Sequence, residues 1–108
     1  MIYIIKMLRV DECKKITINE KTVAITTDFE RAIEIFETNE NNIQDNYYNY
    51  GLIITIRDGE IYDKPIDFKL YSYDLGRNEF YPFYYDEEEM YIYNAIKENI
   101  VNGGLYEL

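Results

Sequence analysis

The stretch Ile2-Tyr3-Ile4-Ile5-Lys6-Met7-Leu8-Arg9-Val10 decides the fold. β-branched and aromatic residues dominate it, and apolar side chains stand at odd and even positions alike. An extended strand of this composition is buried on both faces and belongs inside a sheet. Lys6 interrupts the apolar run, and charges follow from Arg9 to Glu12 with no small-residue cleavage site. The segment therefore reads as neither a signal peptide nor a membrane span.

Working outward, a turn is expected near residues 11–15. Ile16, Ile18, Val23 and Ile25 then mark either one strand ending at about Thr26 or a hairpin of two short pieces, because Asn19-Glu20-Lys21 interrupts the pattern. Thr27-Asp28-Phe29-Glu30 has the form of a capping box and predicts a helix over 28–38. Phe29, Ala32, Ile33 and Phe36 share one face of that helix and should pack on the sheet, whereas Glu30, Glu34 and Glu37 share another and face water. The polar run from Thr38 to Asn49 reads as a loop and the one candidate for a mobile segment.

Tyr50 to Arg57 returns to strand character, and Asp58-Gly59 is a hairpin signal. Pro65 makes the return strand an edge or breaks it until about Ile66. Ile66, Phe68, Leu70 and Ser72 then alternate with Asp67, Lys69, Tyr71 and Tyr73, which predicts one buried and one wet face. Asp74 to Asn78 forms another turn, and Phe80 to Tyr85 a final strand with Pro82 at an edge. Asp86 reads as the N-cap of a last helix with Glu89 at its third position, Ile92, Ala95, Ile96 and Ile100 as its buried stripe, and Gly103 past its end. The expected fold is α+β: a single domain over 1–108, with an antiparallel or mixed sheet of about 4–6 strands and two helices packed on it.

The 108 residues include 11 Lys plus Arg, 21 Asp plus Glu, one Cys, one Ser, 13 Tyr, no His and no Trp. Without His there is no Ser-His-Asp triad, no Cys-His pair and no imidazole base. A single Cys allows neither an internal disulfide nor a paired-cysteine metal site, and a reducing, cytoplasmic compartment is expected. Charge is uneven: residues 1–27 carry a net +2 and residues 28–108 a net −12. A surface this negative repels phosphate backbones, so direct nucleic-acid binding is not expected, and a basic partner is.

Short acidic patterns suggest catalytic readings. Asp58 followed by Asp67-Phe68-Lys69 has the spacing of some metal-dependent nucleases, but Glu12-Cys13-Lys14 matches equally well and no basic groove accompanies either. Paired carboxylates for glycoside chemistry lack a cleft signature. Cys13 lies beside Lys14 and Lys15 but has no base. The expectation is a protein with no catalytic residue, no metal and no cofactor.

Two features point to a binding surface. Glu30, Glu34 and Glu37 space negative charge roughly 5–6 Å apart, near the phosphate spacing of a nucleic-acid strand, and Asp86, Glu87, Glu88 and Glu89 add a second cluster. Both also serve as solvated helix faces that complement a dipole and keep the chain soluble. The second feature is aromatic: Tyr71, Tyr73, Tyr81, Tyr84, Tyr85, Tyr91 and Tyr93 crowd one region. Tyrosine is enriched at binding hot spots, although a chain without Trp also needs aromatic rings in its interior.

The stretch Tyr84-Tyr85-Asp86-Glu87-Glu88-Glu89-Met90-Tyr91, in a small acidic chain, resembles phage-encoded anti-CRISPR inhibitors of the DNA-mimic kind. The resemblance implies a small α+β protein that occupies the basic DNA-binding channel or PAM-reading site of a Cas nuclease. Acidic immunity proteins that plug a basic toxin nuclease share these features. The resulting expectation is a cytoplasmic, non-enzymatic inhibitor of a basic nucleic-acid-processing protein, binding through Glu30, Glu34, Glu37, Asp86, Glu87, Glu88, Glu89, Tyr84, Tyr85 and Tyr91. The alternatives are a protein that sequesters a nucleotide or other small ligand, and an immunity or assembly subunit, with homo-oligomerisation left open.

Overall fold

The computed structural model describes residues 1–12, 16–57, 67–84 and 87–101. The expectations placed on Cys13, Asp58-Gly59, Pro65, Ile66, Tyr85, Asp86 and Gly103 lie outside the described residues. Those described form one antiparallel sheet of five strands and two helices, an α+β fold. β1 (Ile2–Asp11) pairs with β2 (Thr17–Thr26) on one side and β3 (Tyr50–Ile56) on the other, followed outward by β4 (Asp67–Asp74) and β5 (Glu79–Pro82). β1 is interior, as expected from apolar side chains at odd and even positions alike, and even Lys6 within it is buried.

The two helices, α1 (Phe29–Glu37) and α2 (Met90–Val101), lie on opposite faces. Side chains alternate across a strand, so the two parities of β1 feed two cores. Ile4, Leu8 and Val10 join Leu52, Ile54, Ile56 and Leu70 beneath Ile92, Ile96 and Ile100 of α2. Ile5 and Met7 join Ile53, Tyr71 and Phe80 beneath Ala32, Ile35 and Phe36 of α1. β2 and β3 both run antiparallel to β1, hence parallel to each other, and α1 is the crossover that carries the chain past β1.

Several expectations are corrected, but of the two readings of the segment after β1 the single strand holds: β2 runs through Asn19-Glu20-Lys21 to Thr26. Its irregularity is a bulge instead: Ile5 pairs with Ala24 and Lys6 with Thr22, leaving Val23 as the extra residue. The bulge lets consecutive Val23 and Ala24 both pack on the α1-side cluster. The cap of α1 is Asp28 rather than Thr27, its carboxylate accepting from the backbone N–H groups of Glu30 and Arg31. The fully buried row is Ala32, Ile35 and Phe36, with Ile33 half-buried against the same cluster, while Phe29 is exposed against the ring of Tyr3. β4 is interior, and the face expected to be wet is covered by α1, where Phe36 stacks on Tyr71 with centroids 4.8 Å apart. β5, bearing Pro82, is the edge. Glu89 is not the third residue of α2 but precedes it, its carbonyl accepting from the N–H groups of Ile92 and Tyr93.

The Asn-rich connection from α1 to β3 is bonded rather than loose. Asn39, Asn41, Asn42, Asp45 and Asn46 take positive φ, which Asn and Asp tolerate better than other side-chain-bearing residues. Buried Gln44 donates to the Tyr48 carbonyl, and the Asn49 side chain pairs with both the N–H and the C=O of Val10, at 2.8 and 2.9 Å.

Candidate functional site

The predicted partner-binding residues fall on two separate surfaces, because the sheet lies between the helices. On the α1 side, Glu30, Glu34 and Glu37 are all exposed. The row is not a free line of charge, however. Arg31 lies within it, 3.6 Å from Glu34, and binds both carboxylate oxygens of Glu40 at 2.7 and 2.5 Å. The forked hydrogen bond to Arg31 holds the Glu40 carboxyl below its ordinary range, and Glu40 in turn raises the guanidinium. A cation thus sits among the charges that were to imitate phosphates.

The α2 side gathers tyrosines and carboxylates. Leu8, Tyr50, Ser72 and Tyr81 occupy one cross-strand row on that face. At the end of β1, Glu12 accepts a hydrogen bond from the Tyr91 hydroxyl at the start of α2. This bond raises the Tyr91 phenol above its ordinary value, helped by burial and by the charges of Glu12 and Glu89. Burial first, then the same two carboxylates, pushes Tyr50 up to about 12. The phenols in this group stay neutral and available as donors to carboxylates. Glu87 and Glu88, in the turn before α2, are exposed, and Glu89 is half-buried. On the other flank Tyr84 is 66% exposed and its ring lies 5.5 Å from that of Tyr81.

The structure therefore brings Glu89 and Tyr91 together in one band along the α2 side and sets Tyr84 against Tyr81, while Glu87 and Glu88 stand exposed in the turn that leads to Glu89. It adds Glu12 and Tyr50, which sequence reasoning did not assign to the site, and Tyr81, which it counted in the tyrosine set but not among the partner-binding residues. Only strand register reveals Tyr50 and Tyr81 as same-face neighbours, and nothing in spacing links Glu12 to Tyr91. The remaining tyrosines of the set divide between roles. Tyr71 is buried under Phe36, and Tyr93 stacks on Phe68 and Phe83, so these fill the interior.

The band ends at a depression of about 330 Å³ lined by Asp74, Arg77, Glu79, Tyr81 and Tyr84. A second depression, about 310 Å³, runs between β2 and α1 over Val23, Ile35 and Ile43. Among the described residues no group of three or more potential metal ligands converges, and no helix is long and apolar enough to cross a membrane. Asp67 and Lys69 of the nuclease-like pattern are engaged locally, the carboxylate with the N–H of Phe68 and the ammonium over the ring of Tyr71. No family model, curated protein or solved structure matches the chain.

Proposed function

We propose that the protein is a non-enzymatic inhibitor that binds a basic nucleic-acid-processing protein through the tyrosine–carboxylate band on the α2 side. The observation that carries this reading is the convergence of Glu12, Glu89, Tyr50 and Tyr91, a group of carboxylates and neutral phenols at the surface. Carboxylates supply attraction to Lys and Arg, while tyrosines supply rigid apolar area with a polar tip. A partner groove that normally holds phosphates and bases offers the complement of both, and occlusion of that groove is the mechanism. A CRISPR effector nuclease is the partner class implied by the resemblance of residues 84–91. The α1 array contributes less, because Arg31 offsets it.

A nucleotide-sequestering role has less support, since Asp74 and Glu79 flank the tyrosines of the depression and repel phosphate. The deciding experiment is affinity capture from a bacterial lysate at low salt with the wild type and with Glu34→Lys and Glu88→Lys separately. A basic nucleic-acid-processing protein should be recovered with wild type and Glu34→Lys, and its association should slow about tenfold with Glu88→Lys. Recovery indifferent to Glu88→Lys would remove the band from the interface. Recovery of no basic protein would overturn the reading.

A further inference from the structure

We infer that the depression at the β4–β5 turn is a guanidinium pocket, and that the protein partner seats an arginine side chain in it. The inference rests on the inhibitor reading above for its partner and on local geometry for its chemistry. Asp74 and Glu79 are a directly opposed cross-strand pair, so their carboxylates emerge side by side on the α2 face. Tyr81 follows Glu79 by two residues on that face, and Tyr84 packs beside it with the rings inclined by 32°. Two carboxylates beside two phenol rings make a site for a flat cation, held edge-on by oxygens and face-on by an aromatic wall.

The carboxylate of Asp74 is fixed before any ligand arrives. Its Oδ1 accepts from the N–H groups of Gly76 and Arg77 at 2.9 and 3.3 Å, which closes the turn and leaves Oδ2 for a cation. Asn78, at φ 55°, and its hydrogen bond from the Tyr73 hydroxyl secure the far side of the turn. The chain's own Arg77 already holds a guanidinium at the mouth, but loosely: 3.9 Å from Oδ2, with its side chain 78% exposed. An incoming arginine replaces that contact at little cost. The next pair on the same face is Ser72 with Tyr81; the Ser72 hydroxyl, which has no hydrogen-bond partner among the described residues, is buried beneath the depression and does not line it. A guanidinium carries five N–H donors in a planar fork and can serve several acceptors, which an ammonium cannot match in geometry.

The test titrates the intact protein with Nα-acetyl-arginine amide, Nα-acetyl-lysine amide and inorganic phosphate, following backbone amide NMR shifts of Gly76, Arg77, Tyr81 and Tyr84. The arginine probe should give saturable shifts confined to these residues, with the lysine probe bound about tenfold more weakly. Glu79→Gln and Tyr84→Ala, both at exposed positions, should abolish saturation while the rest of the spectrum stays unchanged. Arg77→Ala should tighten the arginine probe. Equal, unsaturated shifts with both cations, or saturation by phosphate that Arg77→Ala removes, would overturn the pocket. This readout needs no partner: probe binding without capture of a basic protein retains the pocket and refutes the inhibitor, and capture without probe binding does the reverse.

Discussion

Gly51 is a glycine because Phe36 occupies the space its side chain would need. A Cβ placed there would lie 2.8 Å from Cζ of that ring, which is held on its other sides by Tyr71 and Phe80. The ring cannot retreat without breaking both aromatic contacts. Gly51→Ala should therefore destabilise the fold by about 1–3 kcal/mol, read as a lower denaturant midpoint at unchanged slope. A second residue-scale prediction concerns the phenols. Tyr91 is raised by the Glu12 hydrogen bond, and Tyr50, at about 12, by burial and the same carboxylates. An elevated folded-state value means that the unfolded chain ionises first. The stability contributed by neutral Tyr50 is thus intact below about pH 10, its unfolded value, and is lost as pH rises through about 12. Glu12→Gln should bring Tyr91 back toward an ordinary tyrosine in a ring-carbon NMR titration. An unmoved Tyr91 would mean that the hydrogen bond does not form in solution.

At the scale of elements, the cap of α1 shows what local sequence can and cannot reveal. Thr27 and Glu30 spell a capping box, yet Asp28 takes the cap and the buried stripe becomes Ala32, Ile35 and Phe36. Two start signals one residue apart compete, and tertiary packing of Phe36 into the Gly51 notch selects between them. Asp28→Ala should accordingly cost about 1 kcal/mol, whereas Thr27→Ala should cost little, as thermal melts of the two variants will show. β1 and β3 were legible because short runs dense in β-branched and other apolar residues, with no helical periodicity, have few alternatives. The dry side of β4 was not, because alternation reports two faces without naming what covers either. Placement of one helix on each face, which divides the acidic site, follows from a crossover past β1 that no short window contains.

For the whole molecule, the net charge of −10 opposes folding and would favour the proposed association with a basic protein, and salt separates the two effects. Screening relieves self-repulsion of the compact state but also weakens attraction to a basic partner. Raising ionic strength from about 0.01 M to about 0.15 M should increase the melting temperature of the isolated protein and loosen the proposed complex with a basic protein. A melting temperature that falls with salt would indicate that the surface ion pairs outweigh the repulsion. Half of the candidate site was readable in the same terms: acidic runs and tyrosine density are compositional, and they located the start of α2. Two of the partners of those residues, Glu12 and Tyr50, were hidden because the fold assembles them from distant parts of the chain.

That pairing also imposes a schedule on biosynthesis. β1 and β2 are neighbours in sequence and can close a hairpin as soon as both have left the ribosome, but the inner edge of β1 pairs with Tyr50–Ile56, on the far side of α1. At about 5–20 residues per second, this largely apolar strand waits for seconds with one row of amides and carbonyls unmet. The nascent chain is then most open to capture by a chaperone, or to pairing with a copy emerging from a neighbouring ribosome.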